Sequence, residues 1–446
     1  MTNSAHDPVP PHQSSPCLQI AILVVLSMQV SFASAADIHT PTGALIAGSE
    51  DGRIPAWAGG LHTAPTGWKP EDGYPDPFAG ETPKVVITQD NMGAHLDVLA
   101  PGLQALLKTR RGMEIPVYPS HRTLALPSKV YEATRAQAGQ ARTEDKRLRN
   151  YRQPAIPFPQ PKDAEEVMFN HLNHWFGGVS ACSDWLPIHG NGNFYRVGWC
   201  STTVQASEMD RLVEADDGTY FLGRYDAPAS LIGTIYLVHE PLDNAAGERR
   251  AWIYNAGQRR VRRAPDLAFD NTADGTEGLA TIDDGGGFNG ALDRYDWKLL
   301  GRRAMLVPYN AYRLGDTTLK YEQMIKGTLI DPKLMRYELH RVWAVEATLA
   351  KGMSHAYRRR TFYVDEDSWQ ILMSEAYDGH GELWRVALLP AIQLWDVPVM
   401  VPRAQMIHDL HNGGLLVTGL DNERKQPSRQ WQVEGKVDAF RPNALR

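Results

Sequence analysis

From about residue 193 onward, the chain alternates apolar and polar positions in short runs that stop at Gly, Asn or Asp. Such runs include GTIYLVHEP, RAWIYNAGQRRVRR and MLVPYN. A period of two is typical of β-strands, and strands that follow one another across short turns pair in antiparallel fashion. The pattern therefore predicts a protein that is mainly β with some helices (α+β), built around a curved antiparallel sheet.

The clearest series of strands is residues 336–389, RYELHRVWAVEATLAKGMSHAYRRRTFYVDEDSWQILMSEAYDGHGELWRVALL. It predicts a four-strand meander with turns near Lys351–Gly352, Glu366–Asp367 and Asp378–Gly379. Beside the middle turn, Phe362 and Val364 point to one face of the sheet and Tyr363 points to the other. A sheet with one wet face alternates cleanly between apolar and polar residues, so we expect both faces of this hairpin to be covered.

Three helical patterns precede these strands. The first starts at Thr88 and the second at Pro101, a residue type that suits the first turn of a helix. The third follows Asp163, which forms a capping-box pattern with Glu166. The apolar stripes of the three patterns are Met92, Leu96 and Leu99; Leu103, Leu106 and Leu107; and Met168, Leu172 and Trp175.

Residues 36–85 are rich in Gly and Pro and show no regular period. They predict an extended arm rather than a separate domain, with residues 86–446 forming the folded domain. A disordered tail would be poorer in aromatic residues, so we expect the arm to dock on the outer face of the sheet. Its apolar anchors are Ile54, Trp57, Leu61, Trp68, Tyr74 and Phe78.

Residues 1–35 have the pattern of a secretory signal peptide. The apolar run Leu18–Phe32 is too short to span a bilayer comfortably and is followed by the small-residue pattern Ala33-Ser34-Ala35. One feature departs from the pattern, since no Lys or Arg precedes Arg53. We expect cleavage after Ala35 and export of the mature chain to the periplasm.

Export changes the interpretation of the cysteines. Once Cys17 is removed with the signal peptide, Cys182 and Cys200 remain as an even pair in an oxidising compartment. The pair predicts a disulfide that closes the loop CSDWLPIHGNGNFYRVGWC. The alternative is two separate buried thiols.

Net charge and amino-acid composition exclude few classes of function. The chain is 43% hydrophobic and 22% charged, with a formal net charge of −6, so no general attraction to nucleic acid is expected. Arginines cluster on two predicted hairpins. One interpretation is a basic face that meets anionic headgroups or an acidic partner protein. The other is a solvated strand face with local salt bridges. The arginines are Arg249, Arg250, Arg259, Arg260, Arg262 and Arg263 on one hairpin, and Arg358, Arg359 and Arg360 on the other.

No motif in the sequence identifies catalysis, a metal site or a cofactor. Gly285–Gly290 matches G-x-G-x-x-G but lacks a surrounding βαβ unit, which favours a flexible loop. Asp283, Asp284 and Asp293 do not have EF-hand spacing. His171 and His174 lack the glutamate of a zincin motif, and no G-x-S-x-G elbow is present.

Aromatic residues provide the only candidate site. On the predicted strands, an array of aromatic side chains on one face either packs against a helix or lines an apolar ligand cavity. We predict a ligand-binding role for Trp252, Tyr254, Trp343, Tyr363 and Trp369. Ordinary core packing is the alternative for each of them individually.

Several long segments, in order, resemble the domain of unknown function 1329 family of exported Gram-negative proteins. They include DGRIPAWAGG, PVYPSHRT, IPFPQPKDAEEVMFNHL, AWIYNAGQRRVRRAPDLAFDN and RRTFYVDEDSWQI. The resemblance implies a fold similar to the lipoprotein carriers LolA and LolB, a half-open antiparallel β-barrel closed by helices. It also implies association with a resistance-nodulation-division exporter and an outer-membrane β-barrel, and it implies no catalytic residue.

Together these features favour a periplasmic carrier or chaperone that holds a hydrophobic, lipid-like molecule. A periplasmic enzyme acting on a lipid or polymer is one alternative, and a ligand-free structural adaptor of an export complex is another. An apolar cavity favours the carrier, whereas convergent carboxylates or histidines with perturbed pKa favour the enzyme. A filled core favours the adaptor.

Overall fold

The computed structural model describes residues 38–243, 249–264 and 269–445, so the predicted signal peptide lies outside the described residues. Helices are few and short within this part of the chain. They are α1 (Pro101–Thr109), α2 (Ser128–Ala136), α3 (Ala164–Leu172) and α4 (Tyr321–Met324). None of the helices in the described residues is long and apolar enough to cross a membrane.

Strands make up most of the regular structure. The first half of the described chain contains β1 (Val85–Ile87), β2 (Ile115–Val117), β3 (Arg142–Glu144), β4 (Arg147–Arg149), β5 (Gly178–Ile188), β6 (Val197–Gln205), β7 (Asp217–Ala227), β8 (Ile235–Pro241), β9 (Arg250–Asn255) and β10 (Arg260–Arg263). The second half contains β11 (Tyr295–Pro308), β12 (Ile325–Lys326), β13 (Leu329–Ile330), β14 (Tyr337–Leu349), β15 (Arg359–Asp365), β16 (Ile371–Tyr377), β17 (Leu383–Leu388), β18 (Ala391–Leu394), β19 (Val399–Pro402), β20 (Gln405–Asp409), β21 (Leu415–Leu420) and β22 (Arg429–Trp431).

Most of these strands join one 16-stranded sheet in the order β1-β2-β14-β15-β16-β17-β20-β21-β5-β6-β7-β8-β9-β10, with β11 paired to β14 and β22 to β5. The pairs are antiparallel, apart from one parallel contact between β2 and β14. The two end strands β1 and β10 do not pair with each other in the described residues, so the sheet is open. The predicted mainly β architecture and the four-strand meander are confirmed.

One face of the meander packs against α1. Leu103, Leu106 and Leu107 of this helix share an apolar core with residues of β16 and β17. Gly102 allows the close approach, because a Cβ atom there would lie 2.9 Å from the side chain of Val386. The buried carboxylate of Glu375 accepts a 2.6 Å hydrogen bond from the Gly102 N–H, which places a negative group at the positive end of the helix.

The opposite face packs against α3. Met168 and Phe169 of this helix share a second core with Phe362 and Val364 of β15. Asp163 caps the helix as the sequence predicts, because its Oδ1 accepts from the Glu166 N–H at 2.9 Å. Both faces of the hairpin are therefore buried, and the core on the second face includes residues of α3 but none of residues 38–84.

The predicted helices are only partly confirmed. The second and third correspond to α1 and α3, but the pattern that starts at Thr88 forms only the 3₁₀ turn Met92–His95. Helix α2 was not predicted. It has two buried residues, Val130 and Thr134, so it lacks the apolar stripe on which a prediction depends.

Residues 38–84, here called the N-terminal segment, run along the body with little regular structure. The Trp369 Nε1 donates to the Thr42 carbonyl at 2.9 Å, at the end of the β15–β16 hairpin. Half-buried Trp57 donates to the Leu124 carbonyl at 3.1 Å, and Ile54 is buried. These contacts attach the segment at several separate points.

Cys182 and Cys200 form a disulfide, as predicted. They are directly opposite each other in the antiparallel pair β5–β6. The segment between them is therefore a β-hairpin. The bond joins the two strands that form one wall of the cavity described below.

Candidate ligand cavity

A cavity of about 770 Å³ lies over one face of strands β5 to β9. This volume is within the range of about 300–1,000 Å³ that is usual for small-molecule sites. Because side chains alternate along a strand, the residues that face it are mainly every second one of these strands. The apolar side chains that do so include Trp185, Trp199, Phe221, Tyr236 and Ile253.

Trp199 forms a broad part of the cavity floor because Gly223 leaves room for it. A Cβ atom at Gly223 would lie 2.2 Å from Cζ2 of the Trp199 ring. The indole stacks near Phe221, with ring centroids 6.1 Å apart and an interplanar angle of 18°. Any side chain at Gly223 would push the indole out of this position.

Residues 271–289, here called the flap, cover the cavity from the other side. The hydroxyl of Tyr225 donates to the Asp274 carbonyl at 2.7 Å, and the hydroxyl of Tyr236 donates to the Asp274 carboxylate. Burial raises the pKa of both tyrosines, and Asp274 raises it further. The two hydroxyls therefore stay protonated and hold the flap to the sheet.

The other end of the flap is anchored by a buried ion-pair network. Arg360 Nη1 lies 2.8 Å from the Asp283 carboxylate, and Arg360 Nη2 lies 2.7 Å from the Asp284 carboxylate. Burial alone would raise the pKa of Asp283, but Arg360 and His355 together lower it to about 2. Since a buried charge that loses its partner is costly, this network fixes the flap on β15. Two of the three aspartates whose spacing was compared with an EF-hand, Asp283 and Asp284, thus serve as anchors.

His171 and His174 line the cavity where α3 ends. His171 Nε2 lies 3.0 Å from the Phe288 carbonyl oxygen, and its Nδ1 lies 3.2 Å from the Trp369 carbonyl oxygen and 3.3 Å from the Ile371 amide nitrogen. A carbonyl only accepts, so His174 Nδ1 donates to the His171 carbonyl, which leaves Nε2 as an acceptor. Burial lowers the pKa of both rings, that of His171 to about 3, and both are neutral near pH 7.

The charged residues that line the cavity differ in their pairing. Arg249 Nε lies 2.6 Å from Glu240 Oε1, and its guanidinium lies over the Phe269 ring. Asp274 is held by Tyr236, as described above. Arg262 is exposed, and its side chain has no salt bridge or hydrogen bond to any described residue.

The five residues predicted to bind ligand are Trp252, Tyr254, Trp343, Tyr363 and Trp369, and none of them lines this cavity. Ile253 faces the cavity, so Trp252 and Tyr254 point to the opposite side of β9. Trp343 and Trp369 stack in the core beside α3, with ring centroids 6.4 Å apart, and Tyr363 is buried beside α1. Their role in binding stays a prediction, and a different aromatic set surrounds the large cavity.

Two of the aromatic residues that were missed lie in the hairpin between the cysteines. Pairing Cys182 with Cys200 across two strands places Trp199 on the other face, next to the Cys200 position. The alternation in β7, which puts Phe221 and Tyr225 on one face, was a second available signal. The sequence predicts the cavity face of the Cys182–Cys200 segment only if this segment is assigned to two paired strands.

One buried cluster has the composition of a metal site. His340, Asp365 and Asp367 offer ligand atoms within 4.8 Å of one another. Arg122 engages both oxygens of Asp367, at 2.9 and 2.5 Å, and His340 Nε2 lies 3.0 Å from a Glu338 oxygen. The carboxylate of Asp367 and the Nε2 of His340 are therefore already engaged in internal contacts.

This chain was compared with family models, with curated proteins and with solved structures. The family model "Protein of unknown function (DUF1329)" matches residues 86–446. An uncharacterized protein of Pseudomonas aeruginosa is 38% identical over 441 residues, which is 96% of each chain.

Similar solved structures include a DUF1329 family protein from Desulfovibrio piger, at 16% identity and a TM-score of 0.43, covering 63% of this chain and 95% of that one. A putative outer membrane lipoprotein-sorting protein domain from Vibrio parahaemolyticus is 14% identical, with a TM-score of 0.43, and covers 63% of this chain and 97% of its own. A LolA superfamily protein from Nitrosomonas europaea is 11% identical, with a TM-score of 0.38, and the match covers 64% of this chain and 100% of that one.

Proposed function

The chain belongs to the DUF1329 family of proteins of unknown function, and we propose that it is a periplasmic carrier for a hydrophobic, lipid-like molecule. The observation that carries the proposal is the cavity of about 770 Å³ between the sheet and the flap. Its walls include Trp185, Trp199, Phe221 and Ile253, which offer apolar surface to an acyl chain or a ring system. Burying apolar surface contributes about 25 cal/mol per Å², so no chemical step is needed for binding.

The polar groups of the cavity favour a carrier over an enzyme. The two histidines have perturbed pKa values, which is the feature that would favour catalysis. Burial is the main cause of both shifts, and neither ring is hydrogen-bonded to a carboxylate that would orient it as a base. Glu240 is paired with Arg249 and Asp274 accepts from Tyr236, so the described lining offers no convergent acid and base.

Further parts of the proposal come from the family resemblance. We propose that the open sheet acts as a half-barrel of the LolA/LolB type and that the chain reaches the periplasm through its predicted signal peptide. Transfer of cargo would involve an exporter of the resistance-nodulation-division type and an outer-membrane barrel protein. Release would require the flap to move, since it lies between the cavity and solvent.

Binding of the neutral fluorescent probe N-phenyl-1-naphthylamine tests the carrier proposal. The wild-type protein should bind about one probe per chain, and lipid extract should displace it. In the variant Gly223→Val the new side chain displaces Trp199 into the cavity, so the affinity for the probe should fall by more than about tenfold.

The matched control is Leu222→Val, since Leu222 belongs to the core on the opposite face of β7. It should bind the probe as the wild type does. Wild-type protein that binds no probe, or Gly223→Val protein that remains folded and binds it normally, would contradict the proposal. Thermal melts of each variant separate a blocked cavity from an unfolded protein.

A further inference from the structure

Among the described residues, the charged groups around the cavity leave one cation without a counterion. Arg249 is held by Glu240 and also donates to the Asn289 carbonyl at 2.9 Å. Asp274 accepts from Tyr236. Arg262 is the remaining charged side chain of the lining, and it has no salt bridge or hydrogen bond within the described residues.

The position of Arg262 places its charge at the mouth of the cavity. It pairs with Ile253 across β9 and β10, and directly opposite residues of an antiparallel pair share a face of the sheet. Ile253 lines the cavity, so Arg262 lies on the cavity side of the edge strand. Because Arg262 is exposed while it lines the cavity, it marks where the cavity meets solvent.

The neighbouring residues strengthen the positive charge at this edge. Arg259, Arg260 and Arg263 are exposed and have no acidic partner in the part of the chain that the structure describes. Four arginines within five residues thus form a local positive patch on a chain whose formal net charge is −6. Such a patch attracts anions over about 10 Å at 0.1 M ionic strength.

We propose that the cavity takes a single-chain amphiphile with an anionic headgroup, a carboxylate or a phosphate monoester, which pairs with Arg262 at the mouth. The inference rests on the proposed function, because the apolar cavity must hold the chain of the amphiphile. Guanidinium suits both headgroups, since its N–H groups form paired hydrogen bonds with two oxygens.

Charge on an edge strand has a second recognised effect, which is to prevent pairing with another sheet edge. If the arginines only prevented edge-to-edge pairing, the face of the strand on which each arginine lies would make no difference. Arg263 provides the comparison, because it pairs with Trp252 and so points to the outer face of the same strand. Its guanidinium lies 5.6 Å from the centre of the Trp252 ring.

Competition against N-phenyl-1-naphthylamine tests the inference with laurate, dodecyl phosphate, dodecanol and dodecyltrimethylammonium, all below their micelle concentrations. With wild-type protein, the two anions should displace the probe at concentrations about fivefold lower than dodecanol, the upper range for an exposed ion pair. Arg262→Gln should remove this preference, and Arg262→Glu should reverse it toward dodecyltrimethylammonium. Arg263→Gln should retain it.

Two results would overturn the inference while leaving the carrier proposal intact. One is equal displacement by laurate and dodecanol from wild-type protein that binds the probe. The other is an equal loss of preference in Arg262→Gln and Arg263→Gln, which would indicate a diffuse field rather than a site. Absence of probe binding by the wild type would overturn the carrier proposal as well.

Discussion

Four consecutive polar residues, Asp365 to Ser368, lie at the end of β15 and in the turn that follows it, and all of them are buried. Asp367 is held by Arg122, 245 residues away, and Glu366 is held by Arg341, 25 residues away. Residue types in a turn predict its local geometry but not what packs on it. The sequence therefore predicted the turn correctly and gave no sign of its burial, because its partners are remote in the chain.

Asp365, the first of these four residues, should make stability depend on pH. Its Oδ2 accepts from Ser368 and Tyr309, while its Oδ1 has no partner in the described residues. Burial, followed by the nearby charge of Asp367, raises its pKa to about 6. The folded state therefore binds this proton more tightly than the unfolded state, so Asp365 lowers stability as pH rises from about 4 to about 6.

The variant Asp365→Asn removes this titration while retaining a hydrogen-bond acceptor. We expect the melting temperature of the variant minus that of the wild type to increase between pH 4 and about 7. Thermal melts of the wild type and the variant across this range measure the difference. A difference for Asp365→Asn that is constant or falls with pH would show that this carboxyl ionises freely in the folded protein.

A helix or strand could be predicted from the sequence where its amphipathic pattern was clear. Helices α1 and α3 carry a clear apolar stripe, and each has a start signal in Pro101 or Asp163. The meander alternates strongly enough to predict its strands and turns. Trp252 and Tyr254 lie on β9 with Ile253 between them, and only the tertiary fold decides which face of this strand meets the cavity.

The disulfide between β5 and β6 should stabilise the sheet without shaping the cavity. Cys200 is adjacent to Trp199 in the strand, so its side chain points away from the cavity face. The separation of 18 residues predicts a contribution of about 3 kcal/mol to the free energy of unfolding. The double variant Cys182→Ser/Cys200→Ser should lose about this amount in urea unfolding, and its dissociation constant for N-phenyl-1-naphthylamine should stay close to that of the wild type.

Intact mass before and after reduction provides the control, because the wild type should gain two protons and the double variant none. A double variant that unfolds at the same urea concentration as the wild type would contradict the stabilising role. A marked loss of probe binding in a folded double variant would instead show that the bond positions Trp199.

At the scale of the whole molecule, the pairing of distant strands produces the cavity. β5 pairs with β21, which joins the meander to the strands of the cavity wall, and residues 271–289 return to cover it. Local patterns predict individual strands and their hairpin neighbours, but they do not predict which distant strands pair. The fold class was therefore accessible from sequence, whereas the location of the cavity was not.

The N-terminal segment crosses several parts of this assembly, and its removal should lower stability in two steps. Residues 38–47 supply carbonyl acceptors to three buried or half-buried donors: Trp369 Nε1 bonds to Thr42, Arg122 Nη1 to Ile46 and Arg341 Nη2 to Ala47. Residues 48–80 add apolar contacts, since Trp68 and Tyr74 both pack edge-on against Trp395.

Deleting residues 38–47 should leave those donors unsatisfied, at about 1–3 kcal/mol for each that stays buried. Deleting residues 38–80 should lower the melting temperature further and promote aggregation, because it also uncovers the apolar surface around Trp395. Differential scanning fluorimetry and light scattering measure the two effects, and limited proteolysis of the intact protein provides the control. If residues 38–80 are cleaved rapidly and the remaining body melts at the wild-type temperature, the segment is a tether, and its contacts contribute nothing to the stability of the hairpin.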